Sequence, residues 1–204
     1  MLFSDSYYTI KNKAEGIYKE KGSKFLAYAY RVNNENEIKE HLQELKKMHP
    51  SSRHVCYAYR LGADKQQYRI NDDGEPSGTA GKPIFAVIQS NDLSNILIAV
   101  VRYFGGTLLG VSGLIQAYKG AAADAIAQAT IEEVFIYFQY KLIFTVNEVS
   151  LVMKTCKEVD AEIIQQDYDT EYTMIVNVKK LNSEKFEEKI KLIYNAKLSY
   201  LKTL

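Results

Sequence analysis

The sequence predicts an α+β protein of two domains. Three observations carry this. Segments of alternating apolar and polar residues, which mark half-buried strands, are interleaved with segments whose apolar residues recur at helical spacing. That pattern breaks at residues 130–133, which divides the chain into domains 1–132 and 133–204. Beyond the break the elements run strand, helix, strand, strand, helix, strand. A chain of 204 residues has room for two small domains, and its 47% hydrophobic content supports a core in each.

Taken in order, residues 9–19 and 24–32 read as strands around a Lys21-Gly22-Ser23 turn. Asn34 caps the first helix, with Glu37 as its capping-box partner. Ile38, Leu42, Leu45 and Met48 stripe that helix, and Pro50 ends it. Residues 53–61 form a strand with His54, Cys56, Ala58 and Arg60 on one face, and residues 67–70 pair back as a hairpin. Thr79 is placed to cap a helix over about residues 80–89, with Pro83 tolerated in its first turn. Residues 95–104 are apolar on both faces, hence a central strand. A long helix follows over 111–129, packed through Leu114, Ala117, Tyr118, Ala121 and Ala125. Its seven alanines between Ala117 and Ala129 favour helix and allow close approach to a sheet.

In the second half, residues 134–145 read as a strand, and Val149, Val152, Met153 and Cys156 stripe a helix. Residues 161–168 and 172–180 are strands joined at Asp169-Thr170-Glu171. Ser183 is placed to cap a helix that buries Phe186, Ile190 and Ile193, and residues 197–204 form the last strand. This βαββαβ order is that of the ferredoxin-like, split βαβ arrangement.

Composition narrows the function. Lys and Arg number 26 against 25 Asp and Glu, a net charge of +1, so any nucleic acid must bind at a local patch. The two cysteines, Cys56 and Cys156, fall in different expected domains and have no zinc-ligand spacing. No disulfide, metal or cofactor is expected. Residues 1–20 lack the apolar core of a leader peptide. The longest apolar run, 96–101, is too short to span a bilayer. The expectation is a cytoplasmic protein without membrane contact.

Function concentrates in residues 72–118, which hold seven of the eleven glycines and two of the three prolines. Glycine costs backbone entropy and is kept where the chain must turn or be closely approached. Asp72, Asp73 and Glu75 can hold a divalent cation, or can bond nearby amides as an ordinary turn. Gly78, Thr79, Gly81 and Lys82, at a helix start, are placed to receive a phosphate. Gly105, Gly106 and Gly110 offer further amides at the end of the central strand.

Arg102, Lys82 and Arg53 are the candidate phosphate contacts, with Tyr103 or Phe104 as stacking platforms. The competing reading packs both rings, and for Phe104 packing is the expectation. His54 and Cys56 share a strand face, but a nucleophilic dyad needs opposed side chains and an orienting partner. The alternative is an enzyme, a hydrolase or transferase acting on a phosphate-bearing ligand, that uses Asp73 or Glu75 of the 72–81 loop as base or metal ligand, with His54 as the remaining candidate. A protein-docking module using neither chemistry nor RNA is the third reading.

Four motifs, in order, resemble the IMPACT/YigZ family. They are Lys21-Gly22-Ser23-Lys24-Phe25, Ser52-Arg53-His54-Val55-Cys56-Tyr57-Ala58-Tyr59-Arg60, the 72–83 loop, and Arg102-Tyr103-Phe104-Gly105-Gly106 with Leu109-Gly110 after it. The resemblance covers about residues 15–130. It implies a first domain similar to domain four of elongation factor G, a ribosomal-protein-like fold, and a second similar to that factor's domain five. It also implies a role at RNA or the ribosome. The family's eukaryotic members regulate translation under stress and carry a further N-terminal partner-binding domain. This sequence shows no such segment and looks like the two-domain bacterial branch.

Overall fold

The structure, a computed structural model, describes residues 5–204. The opening residues of the first expected domain, and of the stretch inspected for a leader, lie outside the described residues. The fold is α+β, in two compact units. One holds Tyr7–Val134; the other holds Phe135–Leu204 with Asp5 and Ser6.

The first unit is built on a five-stranded sheet. Its strands are β2 (Ala14–Glu20), β3 (Ser23–Arg31), β4 (His54–Leu61), β5 (Gln67–Asn71) and β6 (Ile96–Tyr103). Their order is β2-β3-β6-β4-β5, and every neighbouring pair is antiparallel. A separate two-stranded sheet pairs β1 (Ser6–Ile10) with β7 (Ile131–Phe135).

Strand β6 is apolar on both faces because helices cover both. On one side Phe25, Ala27, Cys56, Ile98 and Val100 pack against α2 (Gly81–Ser90) and α3 (Gly110–Ala127). On the other, Tyr28, Tyr59, Leu97 and Ala99 pack against Ile38 and Leu45 of α1 (Glu35–Met48). A run buried on both faces is commonest in parallel sheets, yet here it is antiparallel. The small residues set the spacing. A Cβ on Gly16 would lie 2.2 Å from the backbone nitrogen of Ala125, so β2 rests directly on the alanine side of α3.

The second unit is a four-stranded sheet of β8 (Tyr137–Phe144), β9 (Glu162–Tyr168), β10 (Tyr172–Lys179) and β11 (Lys197–Thr203). The order is β11-β8-β10-β9, all antiparallel. Tyr140, Leu142, Phe144, Met174, Val176 and Val178 form its core with Val152 and Cys156 of α4 (Val149–Glu158) and Phe186 and Ile190 of α5 (Lys180–Lys191).

Four local expectations change. The strand expected at 9–19 is two, because a bend at residues 11–12 sends β1 to β7 while β2 pairs with β3. The strand expected at 134–145 is likewise split, with Ile136 between β7 and β8. Ser183 does not cap α5, which begins three residues earlier; its hydroxyl donates to Lys180 O from within the first turn. Thr79 does not cap α2, and its hydroxyl donates to Pro76 O. Asn34 does cap α1, accepting from the amides of Asn36 and Glu37. Glu37 reaches one residue further back than a capping box, to Asn33 N.

Candidate functional site

The end of the first unit's sheet holds both glycine loops. The 72–81 loop leaves β5 and is drawn onto β4. His54 Nδ1 lies 2.7 Å from Asp73 O, so that nitrogen carries the proton and donates. Asp73 Oδ2 accepts from Val55 N at 2.7 Å. Asp73 sits at φ +42° and Gly74 at φ +88°, the left-handed turn that aims these bonds.

Asp72 fills the start of α2 from outside the helix. One carboxylate oxygen accepts from Gly78 N at 2.8 Å; the other accepts from Ala80 N at 3.0 Å and Gly81 N at 2.8 Å. Burial opposes its charge, but these amides outweigh burial and hold the carboxyl below the usual range. The anion at this helix start is therefore the protein's own. Gly81 has no room for a side chain, since a Cβ would lie 2.8 Å from Asn71 N.

Beneath the loop is a buried charged cluster. Arg102 Nη1 donates to Glu75 Oε1 at 2.6 Å, with their side chains 9% and 3% exposed. Tyr118 of α3 donates its hydroxyl to the same oxygen at 2.8 Å. Cys56 Sγ lies 3.3 Å from that hydroxyl and 3.0 Å from Asp72 O. Burial pushes the Cys56 thiol and the Tyr118 phenol well above their ordinary ranges. The Arg102 guanidinium carbon also lies 5.5 Å from the Phe25 ring centroid and 5.6 Å from that of Phe104.

The residues singled out from sequence thus take different stations. Arg102 is buried and paired inward, as is Glu75. Asp73 and His54 hold the loop to β4. Gly78 and Gly81 give their amides to Asp72, and Thr79 is buried. Lys82 and Arg53 are exposed. Tyr103 is half-buried, with its hydroxyl 2.8 Å from His49 Nδ1. Phe104, expected to pack, stands 52% exposed because it lies one residue past β6, where the chain leaves the sheet. Among the described residues no group of three or more His, Cys, Asp or Glu is placed to hold a metal.

The second loop crosses the hairpin turn between β2 and β3. Gly105 N donates to Ser23 Oγ at 3.1 Å, and a Cβ on Gly105 would fall 1.9 Å from the Gly22 carbonyl carbon. Gly106 and Gly110 have φ of +87° and +71°, with open space around them. Helix α3 then begins without any side-chain cap and without an acidic residue in its first turn. The two helix starts of this site therefore differ: α2 is filled by Asp72 and α3 is open.

Sequence reading misses Asp72 as a remote cap and the joining of Glu75 with Tyr118, a residue that periodicity assigns only to a packing stripe. The contact partners stand 27 and 43 positions apart, a separation on which helical and strand periodicities are silent.

Comparison with known proteins decides the family. The family model described as the Impact N-terminal domain matches residues 21–126. The chain belongs to the IMPACT family. An IMPACT family member of Haemophilus influenzae is 31% identical over 172 residues, covering 83% of this chain and 84% of that protein. IMPACT family member YigZ of Escherichia coli is 35% identical over 150 residues, covering 72% and 74%. A Dictyostelium discoideum protein IMPACT homolog is 38% identical over 96 residues, covering 45% of this chain and 27% of its own length. A crystal structure described as that of a hypothetical protein superposes with TM-score 0.73 at 28% identity, covering 98% of both chains. Among the described residues no helix is long and apolar enough to cross a membrane.

Proposed function

We propose that this IMPACT family chain is a translation-associated regulator that contacts RNA or the ribosome through the glycine-loop end of its first unit. The observation that carries the reading is the open start of α3. An anion binds well where unpaired amides and the helix dipole point at it. At α2 that place is taken by Asp72; at α3 it is uncapped and preceded by exposed Gly105 and Gly106. Gly110 opens the helix, and Lys82 is an exposed cation of the same motifs. Arg102 serves from within by fixing the 72–81 loop through Glu75. Relatives in Dictyostelium discoideum and Saccharomyces cerevisiae bear the IMPACT name, and a likeness to elongation factor G domains four and five belongs to this proposal. So do the division at residue 132 and the ferredoxin-like arrangement of the second domain, which its β11-β8-β10-β9 order supports. Fold likeness alone is a weak warrant for function, so the test is made on the site.

The experiment is binding to ribosomes and to single-stranded RNA across a salt series, wild type against Ser112→Glu. Ser112 is exposed in the first turn of α3, where a carboxylate stabilises the helix and repels phosphate. Salt-dependent binding that weakens in the variant, while thermal stability holds or rises, supports the reading. Wild-type binding that ignores both salt and the substitution overturns it.

A further inference from the structure

Three exposed cations and one tyrosine lie along one end of the first unit's sheet, on β2, β3, β6 and the residue just before β4. Lys19 of β2 pairs with Lys24 of β3, and Lys24 pairs with Tyr103 of β6. Strand β4 begins at His54, which pairs with Arg102, and Arg53 lies in the bend one residue before it, at the Tyr103 end of that pairing. Residues directly opposite one another share a face of the sheet. This is the face that α1 covers, because Gly16 and Tyr18 on the other side of β2 abut α3.

Helix α1 covers only part of that face. It ends at His49, whose ring nitrogens lie 2.8 Å from the hydroxyls of Tyr28 and Tyr103. Burial holds the His49 imidazole below its usual range, opposed by Glu15 and reinforced by Lys24. Past His49 the row is open. Lys19, Lys24 and Arg53 are exposed and Tyr103 is half-buried, with Ile17 42% exposed in the next row. Among the described residues none of Lys19, Lys24 and Arg53 forms an ion pair.

We propose that this row binds the backbone of single-stranded RNA, with the Tyr103 ring as the platform for one base. The inference rests on the RNA reading above but uses the opposite face of the sheet from Arg102 and Glu75. A net charge of +1 means the row is a local concentration rather than a general excess. Cations without carboxylate partners keep their full attraction for phosphate. Three inter-strand steps of ~4.8 Å span roughly 14 Å, longer than one free phosphate needs. His49 holds the Tyr103 hydroxyl and so restricts the ring before any ligand arrives. A half-buried ring on a sheet reaches an unstacked base, not a base inside a duplex.

The probe is a short labelled oligouridine, titrated at several salt concentrations with variants whose thermal unfolding matches wild type. In Lys19→Ala/Lys24→Ala/Arg53→Ala the slope of log affinity against log salt falls by about 2, from ~0.7 per lost phosphate contact on a single strand. The exposed triple Lys39→Ala/Lys157→Ala/Lys185→Ala changes net charge equally and keeps the wild-type slope. Tyr103→Leu weakens binding roughly tenfold, whereas Tyr103→Phe, which keeps the ring and loses only the bond to His49, weakens it much less. Wild-type binding with an unchanged slope in the first triple overturns the row and leaves the α3 reading standing. No wild-type binding at low salt overturns both.

Discussion

Glu75 Oε1, from the 72–81 loop, accepts from Arg102 Nη1 at 2.6 Å and from the Tyr118 hydroxyl at 2.8 Å. One oxygen therefore ties a loop, the central strand and the longest helix of the first unit together. Removing one partner of a buried pair leaves the other charge without compensation, at about 3–5 kcal/mol. Glu75→Ala and Arg102→Ala are each expected to lose that much in urea unfolding. Glu75→Leu/Arg102→Met is expected to lose much less than the sum, since no charge is then stranded. A double variant as unstable as the two singles added together would refute the cluster's role. Arg102→Ala is for the same reason a poor probe of RNA binding.

Asp72 gives a pH signature. Its folded-state carboxyl is held below the unfolded value, so the stability it contributes is present above the unfolded pKa. That stability is lost as pH falls through the folded pKa, because the unfolded chain binds the proton more readily. Asp72→Asn is expected to cost about 1–2 kcal/mol at neutral pH, the range for loss of a helix cap, and to flatten the acid limb of stability. Denaturant midpoints measured from neutral pH into acid check this. A variant that keeps the wild-type acid limb argues against the remote cap.

Both cysteines are expected to be inert in the folded protein. The Cys56 thiol is buried and pushed far up, and burial pushes the Cys156 thiol to about 11. A thiol reagent at neutral pH should label neither until denaturant is added. Rapid labelling of Cys56 in the native state would reopen the nucleophile reading.

The glycines separate by cause. Gly105→Ala drives a methyl into the Gly22 backbone, so a loss of at least about 1–3 kcal/mol is expected, with local shifts in the hairpin turn. Gly106→Ala meets nothing within 4 Å but sits at φ +87°, so its cost is conformational, about 1–2 kcal/mol. Thermal unfolding of the two variants would rank Gly105→Ala as the more damaging, and the reverse order would contradict the crossing geometry.

The helices and most strands were legible because each carries a local period. Leu114, Ala117, Tyr118, Ala121 and Ala125 stripe α3, and β6 is an unbroken apolar run from Ile96 to Val101. The boundaries that failed were those without a local mark. Nothing in residues 9–19 or 134–145 announces that a strand changes sheets partway. Ser183 and Thr79 have the chemistry of caps, but their hydroxyls bond carbonyls within the same turns.

For the site, the sequence by itself determined where the two loops lie, since seven of the eleven glycines cluster in residues 72–118. It also determined the family, through motifs that are local strings. Only the tertiary structure decided which charged groups face inward. Asp72, Glu75 and Arg102 are exposed or buried according to partners brought from other elements, and the desolvation cost of a charge is set by that assembled surrounding. Lys19, Lys24 and Arg53 became a row only when β2, β3, β6 and β4 came into register, because a shared face belongs to the sheet and not to any one strand.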